Sequence, residues 1–199
     1  RSSAAEPIRY LLSFPEPAHH WMQVEVTLRE LEPGPLELRM SQTSPGRYSV
    51  HDFAKNVYDV QAVDGAGRAI ALTQPDPHGW TAPRHDGSVT VRYKVFGDML
   101  DGTYLAIDTT HAHINMPAAL MWARGADDRG VVLTLEPPVG QRWRAATQLF
   151  AGAHPLEFTA PNLQYLMDSP IEFGPGAVRT FAVGGQTIRL NAHHTGTET

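Results

Sequence analysis

The residues best suited to chemistry lie in one short segment, Asp108-Thr-Thr-His-Ala-His-Ile-Asn115. Alternate side chains of a strand point to the same face, so this segment would place His111, His113 and Asn115 together. Two imidazoles with Asp108 or Asp101 nearby could supply part of an open site for zinc or iron. A complete site needs another ligand, which the sequence does not identify. We therefore favour polar side chains on a solvated or domain-facing surface over a metal site.

Motifs that would make these residues a catalyst by themselves are absent from the sequence. None of the ten His is followed by Glu, so the His-Glu-x-x-His helix of a zinc hydrolase is missing. No Gly-rich phosphate loop, G-x-S-x-G elbow or dinucleotide fingerprint is present. Without Cys there is no thiolate ligand, disulfide or Cys nucleophile. We predict no catalytic residue and no metal ligand in this chain.

Two other groups of side chains are weaker candidates. His19 and His20 are adjacent, so on a strand they would face opposite sides and could not easily share one ion. The tryptophans could form a stacking platform for a sugar or a base, although core packing is the commoner role of such residues. The four are Trp21, Trp80, Trp122 and Trp143.

Strands must position these side chains, because apolar and polar residues alternate in several short segments. The alternation runs through residues 22–28, 36–40 and 89–95, each with one apolar and one polar face. Residues 178–183 and 186–192 flank Gly184-Gly185, which can take the positive φ of a tight hairpin turn. A second turn is predicted at residues 64–67, and Pro137 ends a strand over 131–135.

Helical signals are few. Residues 162–168 can form one or two helical turns before Pro170 ends them. Residues 117–123 are ambiguous, because Ala and Leu favour helix while the short length and neighbouring strands favour a buried strand. We interpret them as a strand. The fold class predicted is mainly β, an antiparallel two-sheet β-sandwich with little helix.

The bulk composition limits the classes of partner. The 199 residues carry 16 basic and 21 acidic side chains, a net charge of -5, which offers no broad positive field for nucleic acid. No apolar run approaches the roughly 20 residues needed to cross a bilayer. We expect residues 1–7 to be a disordered or processed lead-in, such as a cleaved signal peptide leaves, so a periplasmic or secreted location is suspected.

Four segments together resemble the N-terminal domain of the glycyl aminopeptidase family of zinc metallopeptidases. Their order and spacing cover nearly the whole chain. The first is Ile8-Arg-Tyr-Leu-Leu-Ser-Phe-Pro-Glu-Pro-Ala-His-His-Trp21, and the second is Ser44-Pro-Gly-Arg-Tyr-Ser-Val-His-Asp-Phe-Ala-Lys-Asn-Val57. The third runs from Val91 through Tyr104-Leu-Ala-Ile-Asp-Thr-Thr-His-Ala-His-Ile-Asn to Leu120, and the fourth is Asp168-Ser-Pro-Ile-Glu-Phe-Gly174.

The resemblance implies a domain plan. Residues 8–194 would form a β-sandwich accessory domain, and residues 195–199 a frayed end at the junction with a thermolysin-like catalytic domain. That missing domain would hold the zinc and the general-base Glu, so no cofactor is expected here. The complete enzyme would release small N-terminal residues such as Gly or Ala, using zinc-activated water.

Within such an enzyme this chain would shape the substrate cleft and pack on its own C-terminal catalytic domain. The resemblance makes Asp108, His111, His113 and Asn115 the candidates for the face toward the cleft, although the family carries an aromatic residue where His113 stands. The domain interface, if uncovered, would favour self-association. The alternative is a free-standing β-sandwich binding module for carbohydrate or protein. A third hypothesis is a small metal enzyme built on His111 and His113.

Overall fold

The chain forms eighteen strands in the computed structural model, which describes residues 5–193. In chain order they are β1 (Ile8–Glu16), β2 (Trp21–Leu28), β3 (Leu36–Arg39), β4 (Val57–Asp64), β5 (Ala69–Ile70), β6 (Thr73–Asp76), β7 (Gly79–Ala82), β8 (Val89–Phe96), β9 (Leu105–Ile107), β10 (Ala112–Ile114), β11 (Trp122–Ala123), β12 (Val131–Glu136), β13 (Arg144–Thr147), β14 (Phe150–Ala151), β15 (Glu157–Ala160), β16 (Ile171–Gly174), β17 (Val178–Val183) and β18 (Gln186–Asn191). The helices are short: α1 (Met116–Ala119), α2 (Leu163–Met167) and two 3-10 turns, Pro17–His19 and Phe53–Asn56. No described helix is long and apolar enough to span a membrane.

The strands form four sheets within the described residues. The largest has eight strands in the order β14-β15-β12-β1-β2-β8-β4-β5. Two four-stranded sheets have the orders β13-β16-β10-β9 and β11-β3-β7-β6, and β17 pairs with β18 alone. The pairs are antiparallel except for β1 and β12, which run parallel. The mainly β, sandwich-like fold with little helix is therefore confirmed, with more sheets than the two expected.

Alternating apolar residues explain why the long strands form and which face they bury. In β2 the side chains of Met22, Val24, Val26 and Leu28 are almost fully buried, and the residues between them are half-exposed. Strand β8 repeats this pattern. Fully burying one such side chain contributes about 1.5–3 kcal/mol. The four central strands of this sheet, β12, β1, β2 and β8, thus present one apolar face to the interior.

A buried tyrosine and an aromatic cluster join that sheet to its neighbours. Tyr93 Oη accepts from the Met121 backbone N–H at 2.8 Å and donates to the Ala119 carbonyl at 3.0 Å. Phe14 on β1 lies 5.8 Å from Trp143 and 5.6 Å from Phe173 on β16, measured between ring centroids. These contacts fix the sheet containing β10, which carries the candidate residues, against the largest sheet.

The strand interpretation of residues 117–123 is wrong for most of the segment. Met116–Ala119 form one turn of helix, and only Trp122–Ala123 are a strand. Pro117 lies in the first helical turn, where its fixed φ suits the helix and its missing N–H is not needed. The helix prediction near Asn162 is confirmed, because Asn162 Oδ1 accepts from Tyr165 N at 2.9 Å and caps α2.

The described residues do not test the predicted domain bounds. Strand β1 begins at Ile8, the expected start of the sandwich. Residues 1–4 of the expected lead-in, residue 194 and the expected frayed end at 195–199 lie outside the described residues. The bounds 1–7, 8–194 and 195–199 therefore stay predictions.

Candidate functional site

The four candidate residues lie on the β9–β10 turn and on β10 itself. Asp108 follows β9, and its Oδ1 accepts hydrogen bonds from Thr110 N and Thr110 Oγ1 at 2.6 Å each. The same atom accepts from His111 N at 3.0 Å. Asp108 thus closes the turn with its own side chain, which is the usual preference of Asp in a tight turn.

The pKa of Asp108 is lowered from its usual value to about 2. Partial burial acts to raise it, but the hydrogen bonds from Thr110 and from the His111 backbone, together with the nearby His111 imidazole, outweigh that effect. Asp108 is therefore a carboxylate over the physiological range. Its side chain is about half-exposed at 45%, so one oxygen can hold the turn while the carboxylate still meets solvent.

His111 is buried rather than presented to solvent. Its side chain is 8% exposed, and its Nδ1 lies 3.4 Å from Asp108 Oδ1. The ring stacks on His193 with centroids 3.7 Å apart and planes 21° apart. His193 follows β18, so the stack connects the β9–β10 turn to the end of the C-terminal hairpin.

His113 forms a pair with Glu172 across the sheet. The two residues are directly opposite on β10 and β16, and His113 Nδ1 contacts Glu172 Oε1. The Glu172 hydrogen bond raises the pKa of His113, burial opposes this, and the Gly102 carbonyl and Asp101 add to the increase. Nε2 of the ring is buried and makes no hydrogen bond of ordinary geometry within residues 5–193.

Asn115 is buried, with 5% of its surface exposed, and it joins two loops. Its Nδ2 donates to Ser44 Oγ at 3.1 Å and also to the Thr103 carbonyl. Ser44 belongs to the loop after β3, and Thr103 to the loop before β9. Asn115 therefore positions loops that come from distant parts of the sequence.

The four candidates follow one another along one turn and strand, each with its own partners, and Asp108 is the most exposed of them. Within residues 5–193, no three His, Asp or Glu side chains are placed to hold a metal ion. The sequence-predicted residues do come together on one turn and strand. Their contacts hold the turn and two loops in place. Their role at a substrate cleft stays a prediction.

The tryptophans do not form a joint platform. Trp80 and Trp143 are buried in the core, as expected for packing. Trp21 is half-buried and packs edge-on against Tyr58 and Phe96, with centroids 5.3 and 5.4 Å apart. Trp122, on β11, is also half-buried, and no ring contact joins two of the four tryptophans within the described residues.

The C-terminal hairpin carries a surface that the search for reactive side chains missed. Phe181 is opposite Ile188 across the hairpin, and Arg179 is opposite Leu190. Because opposite residues share a face, one face carries Phe181, Ile188, Leu190 and Val183, together with Arg179 and Gln186. The four apolar side chains are 50%, 42%, 54% and 56% exposed. The alternation of these apolar residues in the sequence could have indicated this surface, because the apolar face of a strand is normally packed against another element.

The opposite face of this hairpin points to the body of the domain. A space of about 350 Å³ separates β13 from Val178, Arg189 and Asn191, which alternate with the apolar residues along β17 and β18. The more polar face therefore lies toward β13, while every residue of both strands except Asn191 is exposed. We name the set Phe181, Val183, Ile188 and Leu190 the apolar hairpin face.

Comparisons with known proteins agree with this architecture. A family model described as the peptidase M61 N-terminal domain matches residues 9–175. An aminopeptidase N family protein from Idiomarina loihiensis has a similar structure, with a TM-score of 0.85 and 24% identity over 94% of this chain and 33% of that chain. An M1 zinc metallopeptidase mutant from Deinococcus radiodurans, bound to a Tyr-Ser-Ala substrate, gives a TM-score of 0.53 and 16% identity over 98% and 50%. The chain spans a third to a half of these structures, whose likeness shows the fold. No curated protein matches the sequence.

Proposed function

The chain belongs to the peptidase M61 N-terminal domain family, and from this premise we propose that it is the non-catalytic accessory domain of a zinc aminopeptidase. The proposed complete enzyme removes small N-terminal residues, Gly or Ala, as the sequence resemblance implies. Within residues 5–193 no cluster of ligands suits a metal. The proposal therefore assigns the zinc to the catalytic domain and gives this chain the tasks of packing on that domain and shaping its cleft.

The apolar hairpin face is the observation that carries the proposal. It begins just after the last residue that the family model matches, 175, and its four apolar side chains are 42–56% exposed. A two-stranded hairpin is marginal in water without a packed face. An exposed apolar face of this kind marks a surface for another protein unit. We propose that the catalytic domain of the same polypeptide covers it.

The contacts of the candidate residues support the second task. His111 stacks on His193 at the end of the hairpin, while Asn115 holds the Ser44 and Thr103 loops. Both ends of β10 are thus tied to surface segments. In the proposed enzyme, Asp108, His111, His113 and Asn115 set the shape of the cleft wall through these segments. Positioning of this kind counts in catalysis because small displacements of a bound substrate cost rate.

The experiment compares the full-length protein with the 199-residue chain. We expect the full-length protein to hydrolyse Gly- and Ala-initiated peptides in a zinc-dependent reaction, and the 199-residue chain to be inactive. Robust hydrolysis by the purified short chain would contradict the proposal. A full-length protein that hydrolyses no peptide with a free amine would also contradict it.

A matched pair of variants tests the surface. F181S/I188S in the full-length protein should expose the domain junction to limited proteolysis and reduce kcat/KM, because a polar face leaves the interface unpacked. T180S/T187S, on the other hairpin face, is the control. Equal proteolysis and equal kcat/KM for both variants would exclude the apolar hairpin face as the domain interface.

A further inference from the structure

Strand β13 has one open edge, on the side away from β16. In its four-stranded sheet β13 is the outermost strand, and it pairs with β16 alone. Alternate residues of an edge strand direct their backbone N–H and C=O groups away from the sheet. Within residues 5–193, no backbone hydrogen bond other than those to β16 reaches residues 144–147. An unpaired edge of this kind is a template for another strand.

The space of about 350 Å³ between β13 and the C-terminal hairpin follows this open edge. Four consecutive residues, 145–148, line one side of the space. Successive side chains of a strand point to opposite faces, so a space that borders four consecutive residues runs along the edge and not over one face. Val178, Arg189 and Asn191 of the hairpin line the other side. The edge of β13 therefore has room beside it for an extended segment.

The two faces of β13 differ in polarity. Ala145 is directly opposite Phe173, which is fully buried, so this face of the strand continues the apolar interior. Ala146 is opposite Glu172, and Arg144 shares that outer face because it lies two residues earlier. A strand added beside β13 therefore fits best when apolar side chains point to the interior and polar ones lie on the Arg144 side.

The charge beside the open edge is positive. Arg142 and Arg144 are exposed, and so is Arg189 on the hairpin side of the space. None of these three arginines forms an ion pair in the part of the chain that the structure describes. Glu172, the carboxylate on the same face, already contacts His113. The edge is therefore complementary to a segment that carries acidic side chains.

We propose that an extended, acidic segment of the catalytic domain of the same polypeptide adds to β13 as a further strand, an inference that rests on the proposed function. Backbone hydrogen bonds to β13 provide affinity, and carboxylates paired with Arg144 and Arg189 provide selectivity. The same hairpin carries the apolar hairpin face, so the segment lies next to a surface already assigned to that domain. A second copy of this chain fits less well, because it would bring the arginines of both copies to one edge.

Binding of a model strand to the 199-residue chain tests the edge without hydrolysis, so this proposal and the proposed function can fail separately. The probe is acetyl-Thr-Glu-Val-Glu-Val-Thr-amide, whose blocked ends carry no charge, titrated into isotope-labelled protein and followed by NMR. We expect saturable shifts and slower amide exchange at residues 144–148, with nuclear Overhauser contacts between the peptide backbone and β13. The same peptide with Lys in place of Glu should bind at least about tenfold more weakly, because like charges at an interface disfavour binding.

A matched pair of variants tests the arginines. R144E/R189E should keep its fold, because both side chains are exposed, and it should lose the preference for the Glu peptide. R9E/R84E makes the same change of charge at two exposed arginines on β1 and before β8, and it should bind like the parent chain. An unchanged preference in R144E/R189E would overturn the proposal, as would equal loss in the two variants.

The full-length protein tests the source of the segment. Its own strand should fill the edge, so the Glu peptide should not bind there. Equal binding of the peptide to the full-length protein and to the 199-residue chain would overturn the assignment to the same polypeptide. The absence of saturable shifts in the 199-residue chain, or shifts without backbone contacts to β13, would overturn the added strand itself.

Discussion

Asn115 and Ser44 are 71 positions apart in the sequence, and their side chains are joined by a 3.1 Å hydrogen bond. Both residues are buried, and Asn115 also donates to the Thr103 carbonyl. This one side chain therefore fixes the two loops that meet at the end of β10. The loop that carries Arg47 and Tyr48 depends on it.

Replacing Asn115 by Ala should destabilise the domain and loosen its loops. The substitution leaves the Thr103 carbonyl and the Ser44 hydroxyl buried without their donor, which costs about 1–3 kcal/mol. Urea unfolding should show this as a lower midpoint with an unchanged slope. Hydrogen exchange of the amides between residues 44 and 50 should become faster.

N56A is the matched control for this prediction. Asn56 is half-buried, and its side chain makes no hydrogen bond within the described residues. Its removal should change the midpoint much less. Equal destabilisation by the two substitutions would show that the hydrogen bond between Asn115 and Ser44 does not contribute specifically to the stability of the domain.

The lowered pKa of Asp108 predicts that the folded domain loses stability in acid. Its folded pKa of about 2 lies below the usual 3.8, so the folded state favours the carboxylate. The contribution is complete above about pH 4 and disappears as the pH falls through 2. D108N should therefore lower stability at neutral pH, and its difference from the parent should shrink between pH 4 and 2. Denaturation at several pH values measures this, and a constant difference down to pH 2 would contradict it.

The regular part of the fold could be predicted because a strand with one buried face has alternating apolar and polar residues in its sequence. The alternation over residues 22–28 and 89–95 corresponds to β2 and β8. At the hairpin turn, Gly184 and Gly185 have φ of 58° and 80°, the conformation their sequence predicts. Local patterns therefore located these elements. The same patterns do not predict the parallel pairing of β1 with β12, because that pairing joins residues far apart in the chain.

The candidate site was predictable in its placement more than in its contacts. Strand periodicity puts His111, His113 and Asn115 on a common element, and β10 with its flanking residues contains them. The partners are distant: Glu172 for His113, His193 for His111 and Ser44 for Asn115. Burial depends on these partners, so residue type alone could not separate a surface histidine from one under a loop.

For the His113 and Glu172 pair we expect stability to depend on pH in the direction opposite to that of Asp108. The pKa of His113 is raised above 6.5, because Glu172 favours the protonated ring. The pair stabilises the fold fully below about pH 6.5, and the contribution disappears as the pH rises through the folded pKa. In E172Q, NMR titration should show a lower pKa for His113. Denaturation should show that the excess stability near pH 6 has gone.

E136Q is the control, since Glu136 is an exposed carboxylate on β12. It should leave the titration of His113 unchanged. A His113 pKa that is the same in E172Q and in the parent chain would show that the contact with Glu172 Oε1 does not govern the ring.

Gly97 allows two sheets to meet, and a single methyl group there should disturb them. A Cβ at this position would lie 2.4 Å from Leu105 Cβ and 3.1 Å from the Leu105 backbone. Gly97 also donates to the His20 carbonyl at 2.9 Å and accepts from Ile107 N at 3.0 Å, so it cannot move freely. We expect G97A to cost about 1–3 kcal/mol in unfolding free energy through overpacking. G130A is the control, because its Cβ would have no neighbour nearer than 3.9 Å. Urea denaturation compares them, and equal stability of the two variants would mean that β8 and β9 can separate without cost.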